Sequence, residues 1–277
     1  MRRASLARKP VLTLALGAAL GCTALGSAAP ALAEQAAEPQ PPGIGMIDQP
    51  CPDQTKLWFG SPYLHAYDWA WLCRYRADNA RIAASAPPDV VFMGDSITEG
   101  WVRLDPEFFA HGHAGRGISA QTTPQMLARF YQDVIALRPR IVHIMAGTNN
   151  VAGNTGPTDA EAFRNDIRAM ADLADAHHIA VIIGSILPAD RLGWRPEVKP
   201  VPLIAGLNMW LREFAASRGY VYADYYAAMV GKGGALPPEL SRDGVHPEAA
   251  GYALMRPVAE RAIAETEARL AATRRRR

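Results

Sequence analysis

Ser96, Asp243 and His246 are of the types that together transfer an acyl group. Ser96 lies in Val90-Val91-Phe92-Met93-Gly94-Asp95-Ser96-Ile97-Thr98-Glu99-Gly100, where an apolar run ends in a glycine, a carboxylate and a hydroxyl. Roughly 150 residues on, Ser241-Arg242-Asp243-Gly244-Val245-His246-Pro247 sets a carboxylate three positions before an imidazole. The residue before a proline is held extended, so His246 would stand at a constrained loop end, with Asp243 within reach of one ring nitrogen. A hydroxyl that can give its proton to an imidazole oriented by a carboxylate is an activated nucleophile. Each stretch alone also has a plainer reading. Ser96 can cap a helix, and Asp243 can close an Asx-turn beside an exposed His246.

Whether these groups meet depends on the elements that carry them. A short apolar run bounded by glycine reads as a buried parallel strand, so Val90–Met93 would deliver Ser96 to the carboxyl edge of a sheet, where open α/β folds place their ligands. Gly94 offers the backbone freedom for a sharp turn there. Further apolar runs at Ile141–Ala146, Ala180–Ile186 and Tyr220–Ala223 read as strands. Amphipathic stretches near Thr123–Ala136, Asp159–His177, Val201–Arg218 and Pro247–Thr273 read as helices, Pro247 suiting a first helical position. This alternation predicts an α/β fold with right-handed crossovers: a three-layer α/β/α sandwich around a central parallel sheet, flavodoxin-like. His111–Arg116 holds a strand's place but is polar, and is expected as a short edge strand. Leu187–Pro202, with four prolines and Trp194, reads as a long ordered loop over the site.

The first 33 residues read as a signal peptide: Arg2, Arg3, Arg8 and Lys9 precede an Ala/Leu-rich run, and Ala31-Leu32-Ala33 offers a cleavage site near Ala33. The run is short and broken by Gly and Pro, so no stable membrane span is expected. Leu20-Gly21-Cys22 hints at lipidation, although Ala19 fits that pattern poorly. The chain is then exported, to the periplasm or beyond. Residues 34–60 form a Pro- and Gln-rich leader or arm, 61–273 the folded domain and 274–277 a basic tail. The net charge of +2 becomes −2 once the four cations of the signal segment are gone, and nothing suggests nucleic acid as a partner. Cys51 and Cys73, the cysteines left after Cys22 is removed, suggest a disulfide tying the arm to a helix near Asp68–Ala84; two unlinked thiols are the alternative. His111-Gly112-His113 lacks a further ligand at metal spacing, so no metal is expected. His143, in an apolar strand, reads as a core histidine, and Gly115-Arg116-Gly117 is not a dinucleotide fingerprint.

From about Pro88 to the C-terminal helix, the chain resembles the SGNH (GDSL-type) hydrolases. The blocks that carry the resemblance occur in order: Gly94-Asp95-Ser96-Ile97, Arg116-Gly117-Ile118-Ser119-Ala120-Gln121-Thr122, Gly147-Thr148-Asn149-Asn150 and Asp243-Gly244-Val245-His246. The resemblance implies a serine esterase that needs no cofactor, with Ser96 as nucleophile, His246 as base and Asp243 as its orienting acid. It implies an oxyanion hole made by the Ser96 backbone N–H, a backbone N–H at Ala120 and the Asn149 side chain. The implied substrates are carboxylic esters: O-acetyl carbohydrate, lysophospholipid or simple acyl esters. Three positions depart from the family. Ala120 stands where glycine is usual, Gly115 where Asn is usual, and Asn150 where Asp is usual. The first two are expected to tune the oxyanion loop, the third to be structural. A different class of function, a catalytically weak module that holds a glycan or acyl chain on the same fold, is supported by Ala120 alone. The G-x-S-x-G elbow is absent around Ser96, which argues against an α/β-hydrolase.

Overall fold

The structure, a computed structural model, describes residues 50–156 and 158–275. The expected signal peptide, its cleavage site at Ala33, Cys22 and arm residues 34–49 lie outside the described residues. Two short helices, α1 (Pro62–Tyr67) and α2 (Arg76–Ala83), precede the sheet. Then follow β1 (Val90–Gly94), α3 (Ser96–Leu104), α4 (Pro106–Phe109), β2 (His113–Gly117), α5 (Thr123–Asp133), β3 (Ile141–Met145) and α6 (Thr148–Ala152). The chain continues through α7 (Ala160–Ala176), β4 (Ala180–Gly184), α8 (Pro200–Arg218), β5 (Val221–Ala223), α9 (Tyr225–Met229) and α10 (Ala249–Arg275).

The five strands are parallel, in the order β2-β1-β3-β4-β5. Alternate residues of each strand face opposite sides, and both sides are buried. Val91, Met93, Val142, Ile144, Val181 and Ile183 pack under α5, α7 and α8. Val90, Phe92, Ile141 and Ile182 pack under α3 and α10, around Trp101, Tyr252 and Met255. Burying one such side chain contributes about 1.5–3 kcal/mol, which is why near-continuous apolar runs are stable here as strands. The expected three-layer α/β/α sandwich is the observed fold. The chain crosses from β2 over β1 to β3, so the order reverses between β1 and β3, where such sheets bind ligands at their carboxyl ends.

The polar segment expected as an edge strand is β2, and its composition has a steric cause. A side-chain carbon at Gly115 would lie 2.2 Å from Val102, and one at Gly117 would lie 2.2 Å from the Glu99 backbone nitrogen. Arg116, buried, spends its guanidinium on Asn79, Asp78 and the Gly115 carbonyl. Gly115 is therefore packed inside β2, against α3, and not in the Gly117–Gln121 loop it was expected to tune. Pro247 does not open the last helix. The Glu248 N–H is taken by the Leu240 carbonyl, and α10 starts at Ala249.

Candidate functional site

Gly94 closes β1 because nothing larger fits: a Cβ there would lie 2.1 Å from Thr98 Oγ1 and 3.0 Å from the Met145 carbonyl. Close approach, not an unusual backbone angle, is the reason for this glycine. Asp95 caps α3, its Oδ1 accepting from the Ile97 N–H at 2.9 Å. Ser96 is the first helical residue, so the plainer capping role belongs to its neighbour and its hydroxyl is left to other work.

That hydroxyl lies 2.9 Å from His246 Nε2. The loop behind His246 explains how the ring is held. Asp243 Oδ1 accepts from the N–H groups of Val245 and His246, at 2.9 and 2.8 Å, and from the Ser241 hydroxyl at 3.0 Å, while Gly244 turns at φ +80°. The other oxygen, Oδ2, is 2.6 Å from His246 Nδ1. The Asx-turn and the orienting carboxylate are thus one residue doing both, with an oxygen for each. Burial works against the charged form of Asp243, but the hydrogen bonds from His246 and Val245 outweigh it and hold the carboxyl down at about 2. An ionised carboxylate can only accept, so Nδ1 carries the ring proton and Nε2 is free to accept from Ser96 Oγ–H.

Opposite Ser96, the segment Gly117–Gln121 turns at Ala120 with φ +64°. Neither the Ser96 N–H nor the Ala120 N–H has a protein partner among the described residues. Asn149, the second residue of α6, is brought to the same edge at the end of β3. Its Oδ1 accepts from Asn154 at 2.7 Å, which fixes the amide, and its Nδ2 donates to the Gln121 carbonyl at 3.0 Å and to Asp95 Oδ2 at 3.3 Å. Asp95 is wholly buried, and burial pushes its carboxyl up to about 6. Asn150 bonds Thr123 through both amide atoms and so anchors the start of α5, the structural part expected of it.

Ser96, Ser119 and His246 form the shared floor of two clefts. One, of about 790 Å³, has Phe59, Leu64, Trp69, Trp71 and Trp194 in its walls, with Ala120 and Asn149 on the same side. The other, of about 810 Å³, presents Arg74, Asp78, Glu99, Arg103 and Arg116. The loop expected over the site contributes Trp194, whose ring lies 6.2 Å from that of His246 and donates to Asn154 at 2.9 Å. Cys51 and Cys73 are joined, with Cα atoms 5.6 Å apart, and fasten the aromatic arm beside the site. His143 is buried and donates to or accepts from the Tyr225 hydroxyl at 2.8 Å, and burial holds it at about 3, a neutral core side chain. His113 bonds the Phe108 carbonyl, and among the described residues no cluster of three His, Cys, Asp or Glu could hold a metal.

Sequence reasoning missed two groups. Arg129, fully buried on α5, ties Gln121 Oε1 and the Gly94 carbonyl together beneath the site and pairs with Asp133. Glu99 grips Ser119; its position one helical turn after Ser96 was the available signal.

A model of the GDSL-like lipase/acylhydrolase family matches residues 92–254. A GDSL-like lipase from Bacteroides thetaiotaomicron is 44% identical, with a TM-score of 0.67 over 71% of this chain and 98% of that one. A Bacteroides fragilis protein assigned as an acylhydrolase is 45% identical, with a TM-score of 0.69 over 72% and 98%. An acetylxylan esterase from Geobacillus stearothermophilus, at 18% identity and a TM-score of 0.50 over 65% and 95%, shares the fold. No match was found among curated proteins. Among the described residues, no helix is long and apolar enough to cross a membrane. The family match and the two close structural relatives together mean that the chain belongs to the GDSL-like lipase/acylhydrolase family, the SGNH hydrolases, and is a carboxylic ester hydrolase.

Proposed function

We propose that this protein is an exported serine esterase in which Ser96, His246 and Asp243 form the catalytic triad. The observation that carries this reading is the unbroken hydrogen-bonded chain from Ser96 Oγ to His246 Nε2, 2.9 Å, and from His246 Nδ1 to Asp243 Oδ2, 2.6 Å. Ser96 Oγ attacks the ester carbonyl carbon as its proton passes to Nε2. The tetrahedral oxyanion then collapses, and the imidazolium returns that proton to the departing alcohol, leaving acyl-Ser96. Water, deprotonated by the same imidazole, attacks the acyl carbon and releases the acid and the serine. Asp243 keeps the tautomer and stabilises the imidazolium.

The oxyanion is received by the N–H groups of Ser96 and Ala120, which have no protein partner among the described residues, and by the Asn149 amide, one of whose Nδ2 hydrogens would leave the Gln121 carbonyl or Asp95 Oδ2 for it. The substrates are carboxylic esters: O-acetyl groups on carbohydrate, lysophospholipids or simple acyl esters, with the aromatic cleft offering room on one side of Ser96. Export is supported by the basic, then apolar, then small-residue order of residues 1–33 and by the Cys51–Cys73 bond, which suits an oxidising compartment.

Ser96→Ala is expected to lower kcat by on the order of 10⁴ or more, to lose labelling by a fluorophosphonate probe and to keep its circular dichroism. Retention of more than about a tenth of wild-type kcat would overturn the assignment. Absence of labelling in the wild-type protein would favour a binding module instead. A panel of p-nitrophenyl esters from acetate to palmitate reads the acyl length.

A further inference from the structure

The turn at Ala120 places a residue with a side chain at φ +64°, a left-handed conformation that is unfavourable for an L-residue. Such a conformation persists only where its surroundings over-determine it. The surroundings here come from the segment Trp69–Tyr75, which lies outside the 92–254 span of the family match. The Tyr75 hydroxyl donates to the Gly117 carbonyl at 2.5 Å, and Gln121 Nε2 donates to the Ala70 carbonyl at 2.8 Å. Trp71 packs with Ile118 and Leu64 in a small buried cluster between these two bonds. The centre of the turn is held differently, by charge. Glu99 Oε2 accepts from both the N–H and the hydroxyl of Ser119, at 2.9 and 2.5 Å, and its Oε1 accepts from Arg74 Nη2 at 2.7 Å. A carboxylate suits this place because both of its oxygens accept and neither donates. Arg74 follows Cys73, so the disulfide sits next to the residue that holds the carboxylate.

We propose that Glu99, itself held by Arg74, is a positioning residue that locks Ser119 and thereby aims the strained Ala120 N–H at the oxyanion. The inference rests on the oxyanion hole described under Proposed function. Glu99 touches neither the nucleophile nor the base through a hydrogen bond, and acts through the loop. Its influence should therefore fall on the transition state, where the donor is used, and little on binding of the ester.

The test measures kcat and KM on p-nitrophenyl acetate for wild type, Glu99→Ala, Glu99→Gln, Arg74→Ala, Ala120→Gly and the double variant Glu99→Ala/Ala120→Gly. Removing a donor outright costs about 10²–10³ in kcat, so misaiming one should cost about 10–100-fold in Glu99→Ala, with KM within about threefold. Glu99→Gln and Arg74→Ala should fall between that variant and wild type. Glycine at 120 takes the left-handed turn without strain and needs less holding, so in that background the cost of Glu99→Ala should shrink at least about threefold.

A Glu99→Ala enzyme that is folded and within about twofold of wild-type kcat overturns the proposal. So does a loss of equal size with and without Ala120→Gly, or a loss that appears only in KM. Should Glu99→Ala not fold, Glu99→Gln and Arg74→Ala decide on the same readouts, and wild-type kcat in both overturns the proposal equally. Ser96→Ala is measured alongside. If it stays active the triad reading fails; if it is inactive while the Glu99 variants are not, only the bracing role fails.

Discussion

Asn149 and Ala120 serve the same proposed oxyanion by different means, and the difference can be measured. In the proposed hole Asn149 would act through its side chain, which accepts from Asn154 and donates to the Gln121 carbonyl. Asn149→Ala removes a donor aimed at charge that develops only in the transition state, and should cost about 10²–10³ in kcat with little change in KM. Ala120 acts through its backbone, which glycine keeps. Because the turn stands at φ +64°, Ala120→Gly also removes a strain of about 1 kcal/mol or more; it should leave kcat within about tenfold. Valine at 120, β-branched at a positive φ, should be worse than either alanine or glycine. The three variants are compared on one activated ester, with folding followed by circular dichroism. Full activity in Asn149→Ala together with a collapse in Ala120→Gly would mean that the donors have been assigned to the wrong groups.

The arm that carries Cys51, Trp69, Trp71 and Cys73 builds one wall of the aromatic cleft and holds the Gly117–Gln121 loop from outside. Between Trp71 and Cys73 it has no sheet ladder, and its fastening is the packing of Trp71 on Ile118 and Leu64, the Arg74–Glu99 ion pair, hydrogen bonds such as Trp71 Nε1 to Gln54 at 2.7 Å, and the disulfide. The disulfide separates its cysteines by 22 positions, and by chain entropy a loop of that size contributes about 3 kcal/mol. Thiol titration of the denatured, unreduced mature protein should therefore find no free thiol. Replacing both cysteines by serine should lower Tm by about 6–12 °C in a chain of this size. Two reactive thiols in the unreduced protein, or an unchanged Tm in the double variant, would show that the arm is held by its noncovalent contacts alone.

At the scale of the whole molecule, Asp95 and Asp243, shifted in opposite directions, should each make stability depend on pH. Asp95, raised by burial to about 6, is protonated more readily in the folded chain than in the unfolded one. The folded state therefore binds the extra proton between about 4 and 6, and stability falls as pH rises through that window, by on the order of 3 kcal/mol in all. Asp243, held at about 2 by its hydrogen bonds, works the other way: its contribution is present above the ordinary carboxyl range and is lost as pH falls toward 2. The two windows do not overlap. Asp95→Asn keeps an oxygen for the Ile97 N–H while removing the charge. The stability of wild type relative to this variant, from urea unfolding at a series of pH values, should fall between about pH 4 and 6 and level off above. A difference independent of pH would mean that Asp95 does not titrate in that range.

The layers, the strands and the four long helices were legible in the chain because they rest on local patterns: apolar runs such as Val90–Met93 ended by glycine, and amphipathic stretches such as Asp159–His177. The Asp243–His246 pair was legible for the same reason, since three residues of one turn bring its two groups together. What local windows do not contain is contact between side chains brought from distant elements. The meeting of Ser96 with a ring 150 positions away follows from where β1 and the loop before α10 pack. The need for glycine at 94 comes from Thr98 and the Met145 carbonyl across the sheet, and the need for glycine at 115 and 117 of β2 from Val102 and Glu99 of α3. The burial of Arg129 and the grip of Glu99 on Ser119 were not picked out in the sequence, because a charge is stable in such a place only when its partners arrive from other segments. Those partners, Gln121, Gly94, Arg74 and Ser119, come together only through the packing of the folded chain.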